Sequence, residues 1–111
     1  LKVCVHALKS HENDDTLHRN KGNILYALDE PEKALEAFEK ALDLNPYVVD
    51  TWVNKGTVLW KGLTDREKAL AAFDKALEIN PNFMAAVDSR INLMAEIKAN
   101  RPPFWKRIFG G

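Results

Sequence analysis

The sequence predicts an all-α chain built from antiparallel helix pairs stacked side by side. Three observations predict it. First, PEKALEAFEKALDLNP (31–46) matches REKALAAFDKALEINP (66–81) at eleven of sixteen positions without a gap. Second, Ala34, Leu35, Phe38, Ala41 and Leu42 recur at spacings of three and four, and so do Ala69, Leu70, Phe73, Ala76 and Leu77, which puts each set on one helical face. Third, no stretch alternates with a period of two, so no strand is expected.

Upstream of each matched segment a second match sets the other helix of the pair: His18–Tyr26 lies over Trp52–Trp60. Gly22 to Gly56 is 34 residues and Pro46 to Pro81 is 35, so the second unit holds one spare residue, expected in its internal turn around Gly62-Leu63-Thr64-Asp65. Asn45-Pro46 and Asn80-Pro81 read as helix starts, because Asn can cap free amides and Pro loses no needed donor in a first turn. Thr64-Asp65-Arg66-Glu67 has the form of a capping box. The acidic pairs Asp14-Asp15 and Asp29-Glu30 fall at helix starts, where negative charge suits the dipole.

The combination Trp52, Gly56, Ala69, Phe73, Ala76, Pro81, with Gly22, Ala34, Phe38, Ala41, Pro46 in the first unit, resembles the tetratricopeptide repeat. The resemblance implies a right-handed αα superhelix in which Gly22 and Gly56 admit the second helix of a unit, and Phe38 and Phe73 fill gaps between units. It covers 15–48 and 49–82 as full repeats. Residues 1–11 then read as the second helix of a partial preceding repeat, and 83–99 as a capping or partial third-repeat helix, so that 1–101 form the domain. His18 stands where the family usually has Trp, and Lys21 and Lys55 where it favours Leu.

Residues 102–111 form a separate tail. Pro102-Pro103 ends the last helix, and Phe104, Trp105 and Phe109 surround the basic pair Lys106-Arg107. Folding back over the last helix is the favoured reading of this tail, then contact with a neighbouring chain, and last a membrane contact.

Composition narrows the function. Sixteen Lys and Arg balance sixteen Asp and Glu, for a formal net charge of zero, which argues against nucleic acid as a partner. Cys4 is the only cysteine, so there is neither an internal disulfide nor a Cys-rich metal site, and a reducing, cytoplasmic setting is expected. His6, His11 and His18 are spaced five and seven apart, on different helix faces, and supply no metal set. No nucleophile motif or phosphate loop occurs, so no catalytic residue, cofactor or metal is expected. The chain begins at Leu1 without Met and is expected to be cut from a longer protein.

The resemblance implies that the first helices of successive units line a concave groove for a peptide or helix of a partner, in a scaffold or adaptor role. Carried over residue by residue, the groove comprises Arg19, Asn20, Asn23 and Tyr26, then Asp50, Val53, Asn54, Thr57, Trp60 and Lys61, then Ala85, Asp88, Ser89, Asn92 and Glu96. Side-chain amides can hold a peptide backbone whatever its sequence, and the aromatics Tyr26 and Trp60 would anchor it; the alternative is that Asn is simply common at these repeat positions and Trp60 packs on a neighbouring helix. The family's carboxylate clamp fits less well. Arg19, Asn23 and Asn54 suit three of its five positions, but Ala85 and Ser89 stand where cations belong. The alternative function is structural self-association through the open ends of the stack or through the tail.

Overall fold

The computed structural model describes residues 14–100. The segment 1–11 and the tail residues Phe104, Trp105 and Phe109 lie outside them. All secondary structure within 14–100 is helical: α1 (Asp15–Ala27), α2 (Pro31–Leu44), α3 (Val49–Thr57, running on into a π-helical turn, Val58–Gly62), α4 (Arg66–Ile79) and α5 (Met84–Asn100).

Each helix starts and stops for a local reason. Asp14 caps α1, its side chain accepting from the Thr16 N–H at 2.9 Å. Asp29, with φ 63°, reverses the chain, and Pro31 opens α2 at a position that needs no donor. The Asn-Pro pairs act differently from the sequence expectation. Asn45 and Asn80 end α2 and α4, and their side-chain oxygens accept from the N–H two residues on, Tyr47 at 3.2 Å and Asn82 at 3.1 Å. Helices resume only at Val49 and Met84. The short Asn side chain favours this local turn over a cap because it reaches its own backbone first. At α4 the cap is Asp65, which accepts from Lys68 N–H at 3.1 Å, while Thr64 sits in the left-handed region at φ 54°. A Thr there cannot form the expected capping box.

The spare residue of the second unit is absorbed earlier than the turn. In the first unit Leu28 N–H donates to Ile24 O and Glu30 N–H to Leu25 O; the equivalent bonds in the second run from Leu63 to Val58 and from Asp65 to Leu59. Each spans one residue more. A π-helical turn takes up an insertion without disturbing the register on either side. Gly62 makes this possible, since a Cβ there would come within 2.7 Å of Pro31 Cβ on α2.

Packing within a unit rests on a glycine under a phenylalanine. A Cβ at Gly22 would lie 2.6 Å from Phe38 Cε1, and one at Gly56 2.5 Å from Phe73 Cε1. The rings therefore lie first on their own unit's glycine. They also reach the next unit: Phe38 clusters with Ala34 and Val58, and Phe73 with Leu59, Ala69, Ala72 and Leu93. Both rings are buried, and burying a Phe contributes about 1.5–3 kcal/mol. Ala34, Ala41, Ala69 and Ala76 are buried too and keep the helices close.

Candidate functional site

The residues predicted to form a groove lie on α1, α3 and α5, the first helices of their units. Two side-chain contacts tie these helices in sequence. Asn54 Nδ2 on α3 donates to Asn23 Oδ1 on α1 at 3.1 Å. Trp60 Nε1, in the π-helical turn, donates to Glu96 Oε2 on α5 at 2.7 Å.

The single bond of the amide pair leaves several N–H donors and a carbonyl acceptor unspent. With Asn54 donating, the remaining N–H groups of Asn23 and the carbonyl oxygen of Asn54 are unspent; with both amides turned over, the roles exchange but one of each remains. Asn23 is exposed and Asn54 half-buried, so the pair sits at a surface that is firm on one side and open on the other. Arg19, half-buried, and Asn20, exposed, stand one turn before Asn23 on α1. On α3, Asp50 stands exposed one turn before Asn54, and Thr57 returns its hydroxyl to Val53 O at 3.0 Å. On α5, Asp88 and Asn92 are exposed one helical turn apart.

The aromatics are less free than the amides. Tyr26 is half-buried against the Ala34–Phe38–Val58 cluster. Trp60 meets Phe73 edge-on, with ring centroids 6.3 Å apart, and the Lys61 ammonium lies 4.9 Å from its ring centroid. Its N–H is committed to Glu96, whose same oxygen accepts from Arg66 Nε at 2.8 Å. Trp60 thus works as a strut between α3 and α5, with only part of its surface left for a ligand. The bond to Glu96 joins residues 36 positions apart, so spacing within a unit does not reveal it. The Arg66 guanidinium, then the Trp60 N–H, hold the Glu96 carboxyl below the usual carboxylate range.

The clamp positions on α5 are Ala85, exposed, and Ser89, half-buried. Arg90 turns away and binds Asp74 on α4 through Nε at 2.5 Å. The surface therefore offers amides and Arg19, without the paired cations needed to grip a terminal carboxylate. Among the described residues no three His, Cys, Asp or Glu side chains are grouped to hold a metal, and no helix is long and apolar enough to cross a membrane.

Comparison with known proteins bears on the family and the fold. Family models for the tetratricopeptide repeat match residues 16–47 and 49–83. The uncharacterized protein MJ0572 of Methanocaldococcus jannaschii is 48% identical over 40 residues, a stretch that makes up 36% of this chain and 38% of that protein. Among solved structures, the first TPR of Spaghetti (RPAP3), bound to the HSP90 peptide SRMEEVD, superposes with a TM-score of 0.75. The match covers 85% of this chain and 74% of that one at 17% identity, a likeness of fold.

Proposed function

The chain belongs to the tetratricopeptide repeat family, a protein-interaction repeat, and on that premise we propose that the face formed by α1, α3 and α5 binds an extended peptide of a partner protein as a non-enzymatic adaptor. The observation that carries this reading is the Asn23–Asn54 hydrogen bond across two units, which leaves amide donors and an acceptor unspent on residues that are exposed and half-buried. A peptide backbone presents the complementary pair at every residue, so such a site holds main chain without demanding a sequence. Arg19 and Asp50, each one turn before an amide of the pair, bring opposite charges near it. The ligand expected here is unlike an acidic tail, since Ala85 and Ser89 give no cation to receive one. The single cysteine and balanced charge fit a cytoplasmic setting, with a protein rather than a nucleic acid as partner.

Selection of a displayed random-peptide library on the intact chain tests the reading. Selected peptides should bind Asn23→Ala and Asn54→Ala about tenfold more weakly, the loss of one or two hydrogen bonds each worth about 1 kcal/mol. Undiminished binding by both variants, each still helical by circular dichroism, would defeat it.

A second reading, self-association, draws on the far end of the stack. Met84, Ile91 and Met94 of α5 are 64%, 58% and 40% exposed, and their spacing makes one apolar stripe. Light scattering across a hundredfold concentration range, compared with Ile91→Ser, distinguishes a dimer through this stripe from a monomer.

A further inference from the structure

Among the described residues nothing covers the outer face of α1, and the molecule itself shows what kind of partner fits there. Ile24, Val58 and Leu93 occupy one repeat position, and so do Lys21, Lys55 and Arg90. On α3 and α5 these positions are covered by the second helix of the preceding unit. For α3 that helix is α2: Leu35 packs against the cluster containing Val58, and Glu39 pairs with Lys55 at 3.8 Å. For α5 it is α4: Leu70 packs against the cluster containing Leu93, and Asp74 pairs with Arg90. Leu35 and Glu39 are four residues apart, as are Leu70 and Asp74. The same device appears twice: an aliphatic side chain, then a carboxylate one helical turn on.

On α1 both halves of the device lack a counterpart among the described residues. Leu17, Ile24 and Leu28 are 45%, 61% and 65% exposed and lie on one face with Lys21 between them. Beside them is a recess of about 370 Å³ that includes Lys21, Lys33 and Lys40, with Glu36 the one carboxylate lining it. The equivalent recess in the second unit, about 440 Å³, holds Lys55, Lys68 and Lys75, and its wall is completed by Leu35 and Glu39 of α2. All three of those lysines are in ion pairs, with Glu39, Asp65 and Glu78. In the first recess Lys33 pairs with Glu30, while Lys21 and Lys40 pair with no carboxylate among the described residues. The recurring cation at position 21, where the family favours Leu, is thus neutralised in units two and three and, among the described residues, not in unit one.

We propose that this end of the stack docks an amphipathic helix of a partner protein carrying an aliphatic residue and, four residues later, a carboxylate. The aliphatic residue covers Ile24 and the carboxylate meets Lys21. The chain's own N-terminal segment is a poorer match on charge. Residues 34 positions before Leu35 and Glu39 are Leu1 and Val5, and residues 1–11 carry Lys2 and Lys9 with no Asp or Glu. It supplies the aliphatic residue but has the neutral Val5 where the carboxylate is called for, so Lys21 would gain no counter-charge from that position, and its only charged side chains are cations.

The test is a titration of the intact, isotope-labelled chain with a synthetic peptide of the α2 sequence, PEKALEAFEKALDL, stapled on its outer face to hold it helical. A peptide of 14 residues is otherwise marginal as a helix. Saturable amide shifts are expected at Leu17, Lys21 and Ile24. Lys21→Glu should weaken binding about five- to tenfold, since charge reversal replaces an exposed attraction with a repulsion. A peptide with Glu39→Lys should bind the Lys21→Glu chain better than it binds the unaltered one. Asn54→Ala should change nothing, which separates this site from the groove. The proposal is overturned by absence of saturable shifts on α1, or by equal affinity of the unaltered and Lys21→Glu chains. Methyl contacts between residues 1–11 and Ile24 in the free chain, or dimerisation through Ile24, would likewise give the site to a different occupant.

Discussion

The two full repeats bury matching residues on their second helices but differ on their first. At one repeat position Ile24 is 61% exposed, Val58 1% and Leu93 fully buried. At another Leu17 is 45% exposed, Thr51 1% and Ala86 fully buried. The residue type does not order these values; the presence of a preceding helix pair does. In a stack where each unit touches only its neighbours, burial belongs to the interface between units. The first unit has its own glycine–phenylalanine core but only one described neighbour, whereas the second is packed on both sides.

The largest expected effect separates the ends from the middle. Leu93→Ala should cost about 2–5 kcal/mol, the range for a fully buried Leu truncated to Ala, and Ile24→Ala should stay within about 0.5 kcal/mol. Chemical denaturation of both variants checks this. A loss at Ile24 comparable to that at Leu93 would mean that a further part of the chain covers α1.

Next in size is the glycine position shared by Gly22, Gly56 and Ile91. Gly56→Ala should destabilise by about 1–3 kcal/mol, because the ring it strikes is itself buried and cannot yield, and this exceeds the roughly 1 kcal/mol that Ala gains over Gly in a helix. Gly22→Ala should behave alike. Ile91→Ala, on an exposed face, should leave the midpoint nearly unchanged. Thermal melts of the three would show whether close approach alone sets this position.

Thr51→Val should have the opposite sign. Its hydroxyl is buried and meets no hydrogen-bond partner among the described residues. Removing an unpaired buried hydroxyl while keeping the shape should raise stability by about 1 kcal/mol. A lower melting temperature for Thr51→Val would point to a partner for that hydroxyl and would place the contact between α2 and α3 in question.

The fold was legible because the features that make it are local and repeated. Ala at helical intervals, Gly22 and Gly56 beneath Phe38 and Phe73, and Pro closing each unit all carry a spacing that any reader of the chain can measure. What spacing could not carry was how the extra residue of the second unit is spent. It is spent in a π-helical turn that includes Trp60, whose contacts with Phe73 and Glu96 join residues far apart in the chain. Nor could spacing separate a helix start from the turn before it, so Asn45-Pro46 and Asn80-Pro81 read as caps of the wrong helix. On the candidate groove, the amides Asn23 and Asn54 are visible in the sequence but do not occupy one repeat position, since Asn20 matches Asn54 and Asn23 matches Thr57, and their mutual hydrogen bond depends on the lateral distance between α1 and α3. The ion pairs Lys55–Glu39 and Arg90–Asp74 hide for the same reason: each joins adjacent units.

The smallest expected effect contrasts the two ties between first helices. α1 and α3 are joined by a neutral amide pair, α3 and α5 by a carboxylate shared between Trp60 and Arg66. Because the Glu96 carboxyl is held below its ordinary range, the folded state favours the ionised form. Its contribution is fully present above the unfolded carboxylate value and is lost as pH falls through the lower folded one. Glu96→Gln should therefore lower the melting temperature slightly at pH 7, and the gap from the parent chain should close as the solution is acidified through the carboxylate range. Asn54→Ala should show a gap that does not move with pH, since no group in that tie titrates there. High salt should shrink the Glu96 effect, the pair being partly exposed. A Glu96→Gln gap that stayed constant down to low pH would mean that the α3–α5 tie is held by the shape of the Trp60–Phe73 packing, with the charge incidental.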